Sequence, residues 1–164
     1  MILRNYLSKF FNGERVAVLG IGSELCGDDS AGMLCSAMLQ RELAQYEDIL
    51  ILSASTAPEN FTGQICDFKP SSLILIDAAD LGLNVGEIGI INPADIKGIS
   101  FSTHMLPLSM LVQYFAMTVH CPIGILGIQY KQKGFGDQVS QEVQATVGDI
   151  VDCVTELALH NYKR

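Results

Sequence analysis

Two hydrophobic rhythms alternate along this chain. Short continuous apolar runs are separated by stretches in which apolar residues recur every three or four positions, the patterns of buried strands and amphipathic helices. The runs Val16–Ile21, Ile49–Ser53, Leu73–Ile76, Glu87–Ile91 and Ile123–Ile128 predict strands, the third closing on Asp77. Ser30–Gln45 predicts a helix with Leu34, Ala37, Met38 and Arg41 on one face. A short helix is expected around Phe61–Phe68, and another near Pro107–Val119 with Leu108, Leu111, Val112 and Phe115 at helical spacing. The last helix is the clearest, because Val139, Val143, Val147, Ile150, Val154 and Leu157 hold one stripe. Met1–Arg15 is basic and semi-amphipathic. The apolar run after it is short, meets Glu24 and lacks a small-residue cleavage pattern, so a lead-in helix is expected and not a signal peptide.

Alternating strand and helix patterns with apolar strands imply an α/β fold with helices on both faces of a sheet. Right-handed crossovers limit its topology. The strand at Glu87–Ile91 follows its predecessor without room for a crossover helix, so it is expected to run antiparallel and make the sheet mixed. The chain has 164 residues and shows no repeat, low-complexity tract or linker, so one domain over 1–164 is expected, with 1–14 as the lead-in.

Composition narrows the function classes. Apolar residues make up 49% of the chain and charged ones 17%, which fits a compact globule. A net charge of -8 argues against a nucleic-acid surface, and no apolar stretch reaches membrane-spanning length. The cysteines Cys26, Cys35, Cys66, Cys121 and Cys153 are odd in number and none has C-x-x-C spacing. Reduced thiols in a cytoplasmic protein fit that better than disulfides or a zinc site.

The most informative stretch is Gly20–Gly32, where a strand meets a glycine-rich turn that ends in Asp28-Asp29 at a helix start. Such turns ordinarily admit phosphate. Two acids here would repel it, and they suit a cation, a proton or a helix cap instead. From spacing alone, one of the two is expected to be only a cap. In an open α/β sheet ligands sit beyond the carboxyl ends of the strands. If the first and third strands are neighbours, Asp28, Asp29, Asp77 and Asp80 converge on one crevice that His104 can reach. Two carboxylates and an imidazole suit a divalent transition metal with open positions. Bland alternatives stand beside this: Asp77 as a loop cap, and His104 as an ordinary loop histidine. His120 and His160 have less to recommend them. No G-x-S-x-G elbow is present, and only Gly20 and Gly22 match a dinucleotide fingerprint. The residues alone define an acidic, histidine-containing crevice on an α/β domain.

Gly20–Gly32, Ala57-Pro58-Glu59-Asn60, Asp77-Ala78-Ala79-Asp80, Gly82–Glu87, Thr103–Leu108 and Gly127-Ile128-Gln129 together resemble the [NiFe]-hydrogenase maturation endopeptidases, and most closely the branch serving hydrogenase 3 in formate-hydrogenlyase-type systems. The resemblance implies a three-layer α/β/α fold around a twisted, mixed, mostly parallel sheet of about five strands. It implies removal of a C-terminal extension from a large-subunit precursor once nickel has been inserted. It assigns the metal contacts, and with them the catalytic set, to Asp29, Asp77 and His104. It implies no tightly bound cofactor: Ni(II) arrives with the precursor, the protein partner. A monomer in the cytoplasm, with no nucleic-acid or membrane partner, is the corresponding expectation. Ser23 and Ser30 stand where the family often has Asn and Gly, which touches only the shape of the turn. Asp28 and Glu24 are the nearest candidates for a supporting base. A non-catalytic nickel-delivery module, a peptidase of the same fold acting on another protein, and a nucleotide-binding module are the competing readings.

Overall fold

The computed structural model describes residues 1–96, 100–101 and 107–163. The elements run α1 (Ile2–Leu7), β1 (Val16–Ile21), α2 (Ala31–Glu42), β2 (Ile49–Ser55), α3 (Thr62–Phe68), β3 (Ser72–Asp80), β4 (Ile88–Ile91), β5 (Ser100–Phe101), α4 (Leu108–Thr118), β6 (Ile123–Gln129) and α5 (Gln141–Asn161). Among the described residues the sheet order is β2-β1-β3-β6-β4, with the two-residue β5 paired to β3. The β1–β2, β1–β3 and β3–β6 pairs are parallel, whereas β4–β6 and β3–β5 are antiparallel. The sheet is therefore mixed and mostly parallel, and β4 runs antiparallel as its short connection requires.

Alternation along the strands sorts side chains onto two faces. Val18, Ile74, Ile76, Leu126 and Ile128 pack under α2 and α5. Ala17, Leu19, Leu73, Leu75 and Ile125 pack under α3 and α4. Three layers result. Of the stripe read for the last helix, Val143, Val147, Ile150, Val154 and Leu157 are buried on α5, while Val139 precedes the helix and is half-buried; Leu108, Leu111, Val112 and Phe115 of α4 are buried too. The lead-in is ordered into the same core: Leu7 and Phe11 are buried, and the Tyr6 hydroxyl accepts the Ile125 amide at 3.2 Å.

Two expectations need correction. On α2 the core face is Ala31, Cys35 and Leu39 with Gly32 and Ser36, not Leu34, Ala37, Met38 and Arg41. Large apolar residues mark a packing face when side chains fill a gap, but this helix meets the sheet nearly backbone to backbone. A Cβ on Gly32 would lie 2.3 Å from the carbonyl oxygens of both Ile21 and Ile76. The other correction concerns β3, which continues past Asp77 to Asp80 because β6 pairs with it through Ala79 and β5 takes up Ala79 and Asp80. That pairing is non-local, so the apolar run could not reveal it.

Gly32→Ala should lower stability by roughly 3 kcal/mol or prevent folding, since backbone carbonyls cannot move aside as a side-chain tip can. Urea unfolding compared with Ala37→Gly, at a half-buried site on the same helix, checks it. A second expectation concerns Cys35, whose thiol burial pushes up to about 12 from 9.0. Its protonated form supports the fold below the unfolded value and loses that contribution as pH rises toward the folded one. Alkylation by iodoacetamide at about pH 8 should spare Cys35 in the folded protein and modify it in urea, read by peptide mass mapping.

Candidate active site

The order β2-β1-β3 places the chain reversal between β1 and β3, so the crevice of this fold opens where those two strands end. After β1, Gly22 has φ +144°, and a Cβ there would lie 1.9 Å from the Asp29 carbonyl oxygen. Only glycine allows the turn to fold back so tightly. The Ser23 amide donates to that same carbonyl at 3.1 Å, and the Asp29 amide donates to Cys26 at 3.1 Å. A 3-10 turn, Gly27–Ser30, carries both acids into α2 and touches β3. Ser30 fits this turn, its hydroxyl donating to the Gly27 carbonyl at 2.7 Å. The Ser23 hydroxyl bonds Cys26 Sγ at 3.3 Å, a loop role for that free thiol.

Both adjacent acids are buried. Asp28 is 0% exposed. Its Oδ2 accepts the Lys131 amide at 2.8 Å, the Gln132 amide at 3.2 Å and the Ser140 hydroxyl at 3.0 Å, and its Oδ1 accepts the Ser140 amide at 2.6 Å. Four donors occupy this carboxylate, which holds it as a structural clamp and removes it as the supporting base. Glu24 is exposed on the turn. Asp29 is also 0% exposed, and Asp77 is 1% exposed one step beyond Ile76, whose carbonyl lies against Gly32. By alternation Asp77 falls on the face of Leu73 and Leu75, the face that α4 covers.

Asp80 does not join them. It is exposed and takes a 3.4 Å bond from the Gln129 side chain, whose Oε1 accepts the Leu81 and Leu83 amides at 2.7 and 3.2 Å. Asp80 therefore belongs to a turn anchor. His104 lies outside the described residues. Phe101, three positions before it, pairs with Ala79 on the strand that carries Asp77. His120 and His160 are exposed and stand away from the crevice; His160 Nδ1 lies 3.1 Å from the Glu156 carbonyl of its own helix. Among the described residues no three His, Cys, Asp or Glu side chains are grouped to hold a metal by themselves. No helix among them is long and apolar enough to cross a membrane.

The Asp28 clamp had no local signal, since its partners lie more than a hundred positions away in the chain. Gln129 carries a sequence signal only as part of the Gly127-Ile128-Gln129 tract, with nothing local to show that it anchors the turn after β3.

The family model of the hydrogenase maturation proteases matches residues 33–157, a span that begins after Asp29 and includes Asp77 and His104. The Escherichia coli K12 hydrogenase 3 maturation protease is 34% identical over 131 residues, 79% of this chain and 82% of that protein. The crystal structure of a [NiFe] hydrogenase maturation protease from Thermococcus kodakarensis superposes with a TM-score of 0.83 at 31% identity, covering 93% of this chain and 97% of that one. The solution structure of an endopeptidase from Escherichia coli gives 0.74 at 31% identity over 84% of this chain and 87% of that one.

Asp28→Asn places an amide among four donors. It should cost roughly 2–3 kcal/mol and speed amide exchange through residues 131–140 before the rest of the chain. Hydrogen-exchange mass spectrometry checks it; uniform exchange would deny the clamp.

Proposed function

The chain belongs to the hydrogenase maturation protease family, and on that premise we propose that it is an endopeptidase that removes the C-terminal extension of a [NiFe]-hydrogenase large-subunit precursor carrying nickel. Asp29, Asp77 and His104 grip the nickel that the precursor brings. The observation that carries this reading is the pair of buried acids, Asp29 on the turn that follows β1 and Asp77 within β3, on elements that Gly32 holds together.

The chemistry of the pair favours a cation. Two carboxylates in a shared, water-poor crevice repel each other, and a divalent ion relieves that repulsion while completing its own coordination. An empty precursor offers no such ion, so its tail gains nothing at these acids. Recognition thereby tests whether metal insertion has happened. With the tail held there, an open position on the precursor's nickel can polarise the scissile carbonyl or acidify a water. Asp29 and Asp77, buried on the two elements that border the crevice, orient that water.

Incubation of nickel-loaded and nickel-free precursor with the protein, read by intact mass, tests the proposal. The loaded form should lose a discrete peptide and the empty form should stay whole. Asp29→Ala, Asp77→Ala and His104→Ala should each slow release by at least about 100-fold, since even outer-shell changes at metal sites reach that range. The melting temperature of His104→Ala should stay near that of the wild type, within roughly 0.5 kcal/mol of stability. Equal cleavage of both precursor forms would reject the nickel checkpoint. Nickel-dependent binding without peptide release would make the protein a delivery module instead.

A further inference from the structure

The turn that carries Asp29 and the loop 131–137 form one rigid rim. Besides the four bonds into the Asp28 carboxylate, the Asp28 amide donates to the Gln132 carbonyl at 2.9 Å, and the Gly136 amide donates to the Leu25 carbonyl at 2.8 Å. The loop also closes on itself, with the Gly134 amide on Asp137 Oδ2 at 2.7 Å and the Asp137 amide on the Gly134 carbonyl at 3.1 Å. A polar loop with two glycines has no core of its own to hold it. Here a carboxylate removed from water holds it, an arrangement stable because both of its oxygens accept hydrogen bonds.

Among the polar side chains of this rim, two large apolar ones stand out in solvent. Phe135 is 83% exposed at the loop tip, and Leu25 is 62% exposed on the facing turn. Neither belongs to the two cores. Lys131 and Lys133 are exposed on the same loop, Lys133 Nζ lying 4.6 Å from the centre of the Tyr130 ring. An exposed aromatic on a preorganised loop is the usual form of a binding anchor, because little entropy remains to be lost when it is covered. Two lysines beside it stand out in a chain of net charge -8.

We propose that Leu25 and Phe135 form an apolar clamp that seats the large-subunit precursor beside Asp29, with Lys131 and Lys133 receiving carboxylates next to the apolar residue they hold. The inference rests on the precursor-processing reading above. Continuity selects this occupant: Leu25 and Asp29 share one turn, so a polypeptide held at Asp29 lies against the rim. Charge disfavours a second copy of the chain, since two molecules of net charge -8 repel.

The test is the affinity of immobilised nickel-loaded precursor for the wild type, Leu25→Ser, Phe135→Ala, the double variant, and Lys131→Glu with Lys133→Glu, measured by interferometry at two salt concentrations. Each apolar variant should bind about ten-fold more weakly with an unchanged melting temperature, because the side chains it alters are exposed. The charge-reversed variant should lose affinity at low salt and recover part of the difference at high salt. An undiminished affinity in the double variant overturns the clamp. So does a wild type that fails to bind precursor, or a free protein whose self-association Phe135→Ala abolishes, which would give the surface to a second copy. A wild type that binds through these residues yet leaves the precursor uncut would sink the peptidase reading and leave the clamp standing.

Discussion

Gly32 brings the first turn of α2 onto the ends of β1 and β3 with no side chain between them. The carbonyl oxygens of Ile21 and Ile76 both lie within 2.3 Å of where its Cβ would be. This contact fixes the helix relative to two strands at once, at the edge where the fold opens its crevice. It also sets how far the turn between β1 and α2 can extend, and Gly22 answers by folding the turn back on the Asp29 carbonyl. The 3-10 turn that carries Asp28 and Asp29 lies on the sheet side of this connection and both acids are buried, whereas Glu24 and Leu25 on its outer part stay exposed. Ser36, one helical turn on, continues the small-residue track and bonds Ser53 of β2 at 2.7 Å.

Within that turn, Asp28 turns toward the chain that follows β6 and is satisfied there by backbone amides and a serine. Its charge is stabilised locally by oriented dipoles, so it contributes order to the rim. Asp29, its equally buried neighbour, is carried by the same turn, so whatever fixes the Asp28 clamp also fixes the backbone of Asp29. On the proposed reading the pair divides its work: one acid anchors the loop that borders the crevice, and the other meets the ligand.

Much of the fold was legible because its elements are governed by local periodicity. Val16–Ile21 is a strand with the bounds read from the sequence, and the buried stripes of α4 and α5 are the ones their spacing gives. The antiparallel β4 followed from connection length. The misread parts are those where backbone contact or long-range pairing replaces side-chain pattern. On α2, small residues bring the helix close to the sheet beside Cys35 and Leu39, so hydrophobicity pointed also to Leu34 and Met38, which lie at the margin of the core. On β3, pairing with β6 and β5 carries the strand past its apolar run. At the site, the sequence brings four acids toward one crevice and predicts that one of the adjacent pair serves the scaffold; hydrogen bonding shows that Asp28 anchors the rim and that Asp80 belongs to the Gln129 turn, neither of which a local pattern could reveal.

Keeping acids out of water at the end of a sheet works against stability, since a buried carboxylate is tolerated only with compensating partners. The fold offsets this with two apolar cores, one on each side of the strands, and with a lead-in segment that adds Leu7 and Phe11 to one of them. The arrangement makes sense for a protein whose ligand is both a polypeptide and a cation. A metal ion alone offers the acids a charge but no surface, and an apolar segment alone offers the rim a surface but no charge. On the proposed reading, only a precursor that carries nickel satisfies both. Because the clamp at Asp28 positions the rim and adjoins Asp29, the acid that this reading assigns to the metal, the two demands are met in one fixed geometry. Selectivity then arises from the rigidity of the crevice edge as much as from the identity of its ligands.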